Sequence, residues 1–362
     1  MNKIERKYIS REFKFSKSYK NSALIFIEKS LDLVKENGYL GMIVPKSLAF
    51  SQRWKSGREL IKEHLVRVVD VSKAFEDVLL EQIIVILRKS ARLKQYVLQD
   101  ILSKESIAIN KDFLDSTDSI ILHGNREDIS IFTKMNKKSK YFSDVTKTSR
   151  GLPFQKYLIK ENTKYPVVRG KNIARYMFGL SSEFLSEERV DLNNDKVKFL
   201  RQPKIISQRI VAHVTKPKDH IIIMSALDKE DLLTVDTVEN TISTDKKYSL
   251  EFLLCLLNSR LISWYTYRYI FSKAIRTMDL DSHYLGRIPL PNAKVENSVF
   301  MNLVDKMFSF NKRLSKIGDK LTDERARIEE QVKKTDAEID ELVYEIYGIT
   351  EAERKIIENS LK

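Results

Sequence analysis

The sequence predicts a chain of three parts: part of an α/β sheet, then a mostly β (α+β) domain, then a C-terminal helical extension. Three observations predict it. Nearly continuous apolar runs, the first of them closed by proline, lie between residues 1 and 90 and suit strands covered on both faces by helices. Short apolar or alternating runs separated by Asn- and Asp-bearing turns recur over residues 141–295. A heptad-like apolar spacing then takes over in residues 296–362.

In the first part, Ala23, Leu24, Phe26, Ile27, Leu31 and Val34 recur at helical spacing, and Gly38 is a stop signal. Tyr39 to Pro45 is a short apolar run closed by proline, as a buried strand would be. A second helix is predicted from about Gln52 to His64, with further strands at Val66–Val71 and Gln82–Arg88. Three strands and two helices fall short of a doubly wound sheet of about six strands. Residues 1–90 therefore predict only part of a sheet. Residues 91–140 are charged and less periodic, a connector with one or two short elements.

In the second part the strand candidates are Tyr165–Val168, Lys204–Ser207, His220–Met224 and Leu233–Val235, with one helix from about Leu250 to Tyr269. In the third, Leu303, Met307, Phe310, Leu314, Ile317 and Leu321 alternate steps of four and three. Gly318 interrupts that seam, as a bend or a turn between two antiparallel helices does. The extension either packs on the chain's own second domain or offers a seam to a partner; the first reading is preferred. Gly348 suits a helix end, and Thr350 with Glu353 a capping box for a final short helix.

Composition limits the function. Lys+Arg 64 against Asp+Glu 50 leaves a net charge of +14 over 362 residues, a balance that favours a polyanion as partner. The single cysteine, Cys255, excludes a disulfide within the chain and argues against a thiolate zinc site. No run approaches the roughly 20 apolar residues of a membrane span, and the charged N-terminus is followed by no apolar leader segment. A cytoplasmic protein is expected.

Motifs exclude more than they assign. Ten glycines form neither G-x-G-x-x-G nor a Walker A loop. His64, His123, His213, His220 and His283 are scattered and fit no standard metal-ligand spacing. No nucleophile elbow occurs. Asp279 and Asp281 are spaced like a pair of nuclease acids, but a loop or helix cap explains them more simply.

The segments themselves carry a resemblance. Asn21–Lys29 with Leu33–Ser47, then Val68–Phe75, then Glu81–Leu87 are similar, in order and spacing, to the helix and strands that follow the catalytic loop of γ-class N6-adenine DNA methyltransferases. Tyr165-Pro-Val-Val-Arg-Gly-Lys-Asn-Ile173, Lys204–Ile210, Leu253–Leu261 and Ile288-Pro-Leu-Pro291, with the tail Ile339–Thr350, resemble the TaqI-like specificity domain of type IIG restriction–modification enzymes. The resemblance implies a partial Rossmann-like methyltransferase sheet over residues 1–90 and a target-recognition domain over residues 141–295. It also implies that Phe75 stacks on a flipped adenine, an extruded base having lost its own stacking.

Two motifs of that family are absent from this sequence: the glycine-rich loop that holds S-adenosylmethionine, and the Asn-Pro-Pro-Tyr loop. The seven prolines include no adjacent pair, and residues 1–20 leave room for neither motif. The expectation is a DNA-reading fragment or subunit of a restriction–modification adenine methyltransferase, inactive alone and with no catalytic residue or metal of its own. S-adenosylmethionine would belong to the intact enzyme or complex, with a separate chain as a candidate source of the N-terminal half. The alternative is a non-enzymatic DNA-binding module that docks a nuclease or phage-defence complex.

Double-stranded DNA is the expected partner on chemical grounds too. Arg150, Arg169, Lys171, Arg201, Lys204, Arg209, Lys273 and Arg276 are predicted at turns or strand ends, interleaved with Gln155, Asn172 and Gln208. Arginine reads guanine bidentately, asparagine and glutamine read adenine, and lysine mostly holds phosphate. Arg175 belongs to the same basic set, and Arg169, Lys171 and Arg209 are its strongest members.

Overall fold

The computed structural model describes residues 2–16, 20–72, 74–75, 77–90, 93–100, 105–137, 139–274 and 278–361. The chain divides into two compact units, Met1–Ser130 with Tyr267–Ile275, and Ile131–Thr266 with Arg276–Lys362. Among the described residues no helix is long and apolar enough to cross a membrane.

The first unit holds a five-stranded sheet. Its strands are β1 (Tyr39–Pro45), β2 (Leu65–Ser72), β3 (Gln82–Arg88), β4 (Gln95–Asp100) and β5 (Ser106–Asn110), in the order β1-β3-β2-β4-β5. β3 runs antiparallel to both β1 and β2, so those two are parallel to each other. β4 is parallel to β2, and β5 returns antiparallel to β4. The helix α1 spans Lys3–Glu12, and α2, Ser22–Leu33, buries Leu24, Ile27 and Leu31 at the predicted spacing. The predicted second helix is a 3-10 turn, Gln52–Trp54, that runs into α3, Lys55–Lys62.

The connector reading of residues 91–140 is corrected in its first half. β4 and β5 extend the same sheet, and Tyr96, Leu98 and Ile109 are buried in it. The charges that disguised these strands are Lys94, Lys104 and Glu105, which flank them rather than interrupt them.

The second unit is built on a four-stranded antiparallel sheet in which Lys204–Gln208 lies between Ser225–Asp228 and Val238–Ser243, and β6 (Thr146–Arg150) pairs with the latter. The predicted helix over Leu250–Tyr269 is interrupted. Ser259 ends Leu250–Asn258 and caps Arg260–Tyr265, its Oγ accepting from Ile262 N at 3.2 Å. Both helices are buried along most of their length, and Cys255 is a buried free thiol among them.

The heptad-like segment forms two helices, Asn297–Ile317 and Asp323–Ile346, separated by Gly318 at φ +67°. They pack on the unit's own buried helices: the Phe300 ring stands edge-on to Phe252 at 5.0 Å, and Arg260 pairs with Asp340 at 3.2 Å. Leu321 leaves the predicted seam and is exposed in the turn. Thr350 and Glu353 form the expected capping box.

Candidate nucleic-acid interface

In the second unit the turn between Leu233–Thr234 and Val238–Ser243 gathers side chains from distant parts of the chain. Gly151 and Gly170 allow it. A Cβ on Gly151 would lie 2.2 Å from the Val235 carbonyl oxygen, and one on Gly170 would lie 2.6 Å from that of Thr237. Only glycine permits so close an approach of backbone to backbone. Gly151 N donates to Val238 O at 2.9 Å and Gly170 N to Thr237 Oγ1 at 2.9 Å. The residues that precede these glycines, Arg150 and Arg169, are thereby brought to the same turn.

Arg150 donates from Nε to the Asp236 carbonyl at 2.8 Å and pairs with its carboxylate at 3.1 Å. Gln155, with its amide oriented to satisfy both neighbours, donates to Asp236 Oδ1 and accepts from Arg169 Nη2, each at 3.3 Å. Arg169 also pairs with Glu183. The Arg209 main-chain amide donates to Thr237 O at 3.1 Å, and its guanidinium meets Glu239 at 2.8 Å and Asp279 at 3.5 Å. Glu239 stands opposite Arg150 in the strand register. Four of the predicted residues, Arg150, Gln155, Arg169 and Arg209, therefore meet at one turn, each held by an acid or by its neighbour.

Glu239 is buried. Burial pushes its carboxyl up to about 7, with Asp281 adding to the rise and Arg209 and Arg150 opposing it. Asp281 itself caps the short helix Ser282–Leu285, accepting from His283 N at 3.0 Å, which is the cap role its sequence context suggested.

The other predicted residues are placed elsewhere. Lys171 is exposed beside this turn, in the 3-10 turn that follows Arg169. Asn172 spends its side-chain oxygen on Arg169 N at 3.3 Å, and Gln208 donates its amide to Ile173 O at 2.7 Å, so both are committed within the fold. Arg201 pairs with Asp231 at 3.1 Å, apart from the turn's residues. Lys204 must be corrected: it is fully buried, paired with Asp228 and donating to Leu232 O at 2.9 Å, and no DNA phosphate can reach it. Arg175 is likewise structural, gripping Asp336 with two nitrogens at 2.6 and 2.8 Å. Arg276 lies outside the described residues. Phe75 and Lys273 belong to the first unit, where Phe75 is 51% exposed in the turn between β2 and β3.

Sequence reading missed the acids. Asp236, Glu239 and Glu183 lie within strand-like or polar stretches with no motif, and only the tertiary pairing shows what they hold. The convergence on Asp236 and Thr237 has one sequence signal, an Arg-Gly dipeptide at both Arg150 and Arg169.

The chain thus pairs a mixed sheet unit with a second unit that carries an arginine-lined turn. Comparison with known proteins finds matches to parts of the chain. Residues 165–290 match the TaqI-like C-terminal specificity domain, and residues 1–75 match the Eco57I restriction-modification methylase. A putative type II restriction enzyme and methyltransferase of Methanocaldococcus jannaschii is 26% identical over 354 residues, covering 89% of this chain and 28% of that protein. The chain thus spans about a quarter of the length of that curated relative. A solved structure of the type IIL restriction-modification enzyme MmeI in complex with DNA shares the fold with TM-score 0.52 at 10% identity, over 93% of this chain and 51% of that one. The chain is thus similar over residues 165–290 to a specificity domain and over residues 1–75 to a restriction–modification methylase.

Proposed function

We propose that this chain reads a DNA sequence on behalf of an N6-adenine methyltransferase. The observation that carries the reading is the meeting of Arg150, Gln155, Arg169 and Arg209 at the Asp236–Thr237 turn. Guanidinium groups oriented by acids keep a fixed fork for guanine O6 and N7, with Gln155 bridging Arg169 to Asp236. The acids also make the arginines poor ligands for an arbitrary phosphate, since a wrong partner must displace a carboxylate without an equal return. Lys171, exposed beside them, suits the phosphate backbone.

The sheet of the first unit fits the rear part of a Rossmann-like methyltransferase sheet. β1 and β2 flank an antiparallel β3, and the outer edge of β1 has no strand partner among the described residues. An open edge of this kind takes a further strand. We read it as the place where strands carrying the cofactor loop and the Asn-Pro-Pro-Tyr loop would pair, from a partner chain or from elsewhere in a longer protein. The residues at hand do not fit S-adenosylmethionine, because among the described residues no glycine-rich turn follows a strand of this sheet. Bound in the assembled enzyme, that cofactor supplies the methyl group. Phe75 supplies a face for the extruded adenine, next to the carboxyl end of β2 where α/β sheets receive their ligands.

Selection of duplexes from a randomised library by the whole chain tests the reading. Enrichment of one motif is expected. Salt-dependent retention with no enriched motif would sink the proposal and favour a non-specific DNA-docking module.

A further inference from the structure

The first unit contains a cavity of about 340 Å³ walled by Leu98 and Ile107 of the sheet, His123, Asn125 and Asp128, and by Arg268 and Lys273 from its second segment. The acids Asp128, Asp70 and Glu81, in and beside it, each already hold a cation. Asp128 pairs through Oδ2 with Arg268 at 2.6 Å, while its Oδ1 is buried with no hydrogen-bond partner among the described residues. Beside the cavity, Asp70 receives both Lys46 and His123 at 2.9 Å, and Glu81 receives Lys46 at 2.9 Å. Burial works against charge on Asp70, but His123 and Lys46 outweigh it and hold its carboxyl well below the usual range. Burial takes the His123 imidazole down to about 4, so it is neutral at pH 7 and donates to Asp70.

Lys273 is different. It is partly buried, yet among the described residues its ammonium makes no hydrogen bond and no ion pair, while its carbonyl accepts from Lys46 at 3.4 Å. Both Ser272 and Lys273 have positive φ, 50° and 52°, so the chain presents this residue in a left-handed turn that non-glycine residues adopt at a cost. Burial, then the Arg268 and Lys46 charges, push its ammonium down to about 8 against the pull of Asp128 and Asp70. A cation held this way, with the nearby acids paired to other cations, has no anion of its own.

We infer that the cavity seats a backbone phosphodiester of the bound DNA, held by Lys273 with Arg268 beside it and the Asn125 side-chain amide as a further donor. The Asn125 oxygen is taken by Asp128 N at 2.8 Å, which leaves its nitrogen to donate. Glu105, an exposed carboxylate at the rim, disfavours the dianion of free phosphate over a singly charged diester. The inference rests on the DNA-reading proposal for its ligand but not on sequence preference, because a phosphate contact is the same for every sequence.

Trace acetylation of the whole chain, read by mass spectrometry at Lys273, is the test. The free protein should show Lys273 more reactive at pH 8 than its surface lysines, and a short mixed-sequence duplex should slow that reaction about tenfold or more, as an anion restores the charged form. Lys273→Gln should weaken binding of all duplexes alike and lower the log–log salt slope by about one. Its melting temperature should not fall, because no partner is left behind. Protection by inorganic phosphate but not by duplex, or by neither, overturns the inference; so does a loss confined to particular sequences. A chain that selects a motif while Lys273 stays unprotected defeats this inference alone. Protection by duplex without any selected motif defeats only the reading of sequence.

Discussion

Nη1 of Arg209 lies 2.8 Å from Oε1 of Glu239, a carboxylate whose side chain is 2% exposed. The pair couples the recognition turn to pH. Glu239 has its folded pKa raised to about 7, above its unfolded value, so the fold favours its protonated form. That contribution to stability is complete below the unfolded pKa of about 4.5 and is lost as pH rises through about 7. A base or phosphate that draws Arg209 away removes the cation opposing the rise, and binding then takes up a proton. Duplex affinity is expected to increase as pH falls from about 8 to about 6, and to be flat for Glu239→Gln in the same titration. A wild-type profile as flat as that of the variant contradicts the coupling.

Lys204 and Asp228 form a pair in which both side chains are 0% exposed. Lys204→Met strands a buried carboxylate and should cost about 3–5 kcal/mol in chemical denaturation, whereas removing both charges with Asp228→Leu should recover most of it. DNA affinity per folded molecule should not change. A Lys204→Met protein of normal stability with weakened DNA binding would restore this lysine to the interface.

The difference between Lys204 and Arg209 marks how much was legible in the sequence. Lys204 opens the short strand Lys204–Gln208 and Arg209 directly follows it, and linear spacing treats the two basic residues alike. Which of them is buried depends on where Asp228, Glu239 and Asp279 arrive, and those contacts are non-local. The strands β1 to β3 were readable because each is rich in β-branched and aliphatic residues, and β1 also has Gly38 before it and Pro45 at its end. β4 and β5 were not, because Gln95, Gln99 and Ser106 dilute the run and charged residues crowd its ends. The helix break at Ser259 was hidden for a related reason. The apolar pattern continues through it, and only the serine's capping bond to Ile262 reveals two helices. The long C-terminal helices were plain, since an amphipathic period needs no distant contact to be seen.

Phe75 is half exposed in its turn, so Phe75→Ala should leave the thermal transition within a few degrees of wild type. If it holds an extruded adenine, the variant should lose about 1–3 kcal/mol of binding to a duplex whose recognised adenine is unpaired, and less to the paired duplex. The comparison is made by fluorescence with 2-aminopurine at that position. Equal losses on both duplexes would assign Phe75 to packing against DNA rather than to the flipped base.

The most direct test takes a selected duplex and its single-base-pair variants at one salt concentration, and compares wild type with Arg209→Ala. The wild-type chain should discriminate by about 1–3 kcal/mol at the contacted positions. The variant should lose that discrimination at one or two adjacent base pairs and keep it at the rest. An equal loss of affinity across every variant duplex would make Arg209 a phosphate ligand and contradict the reading of bases at the Asp236–Thr237 turn.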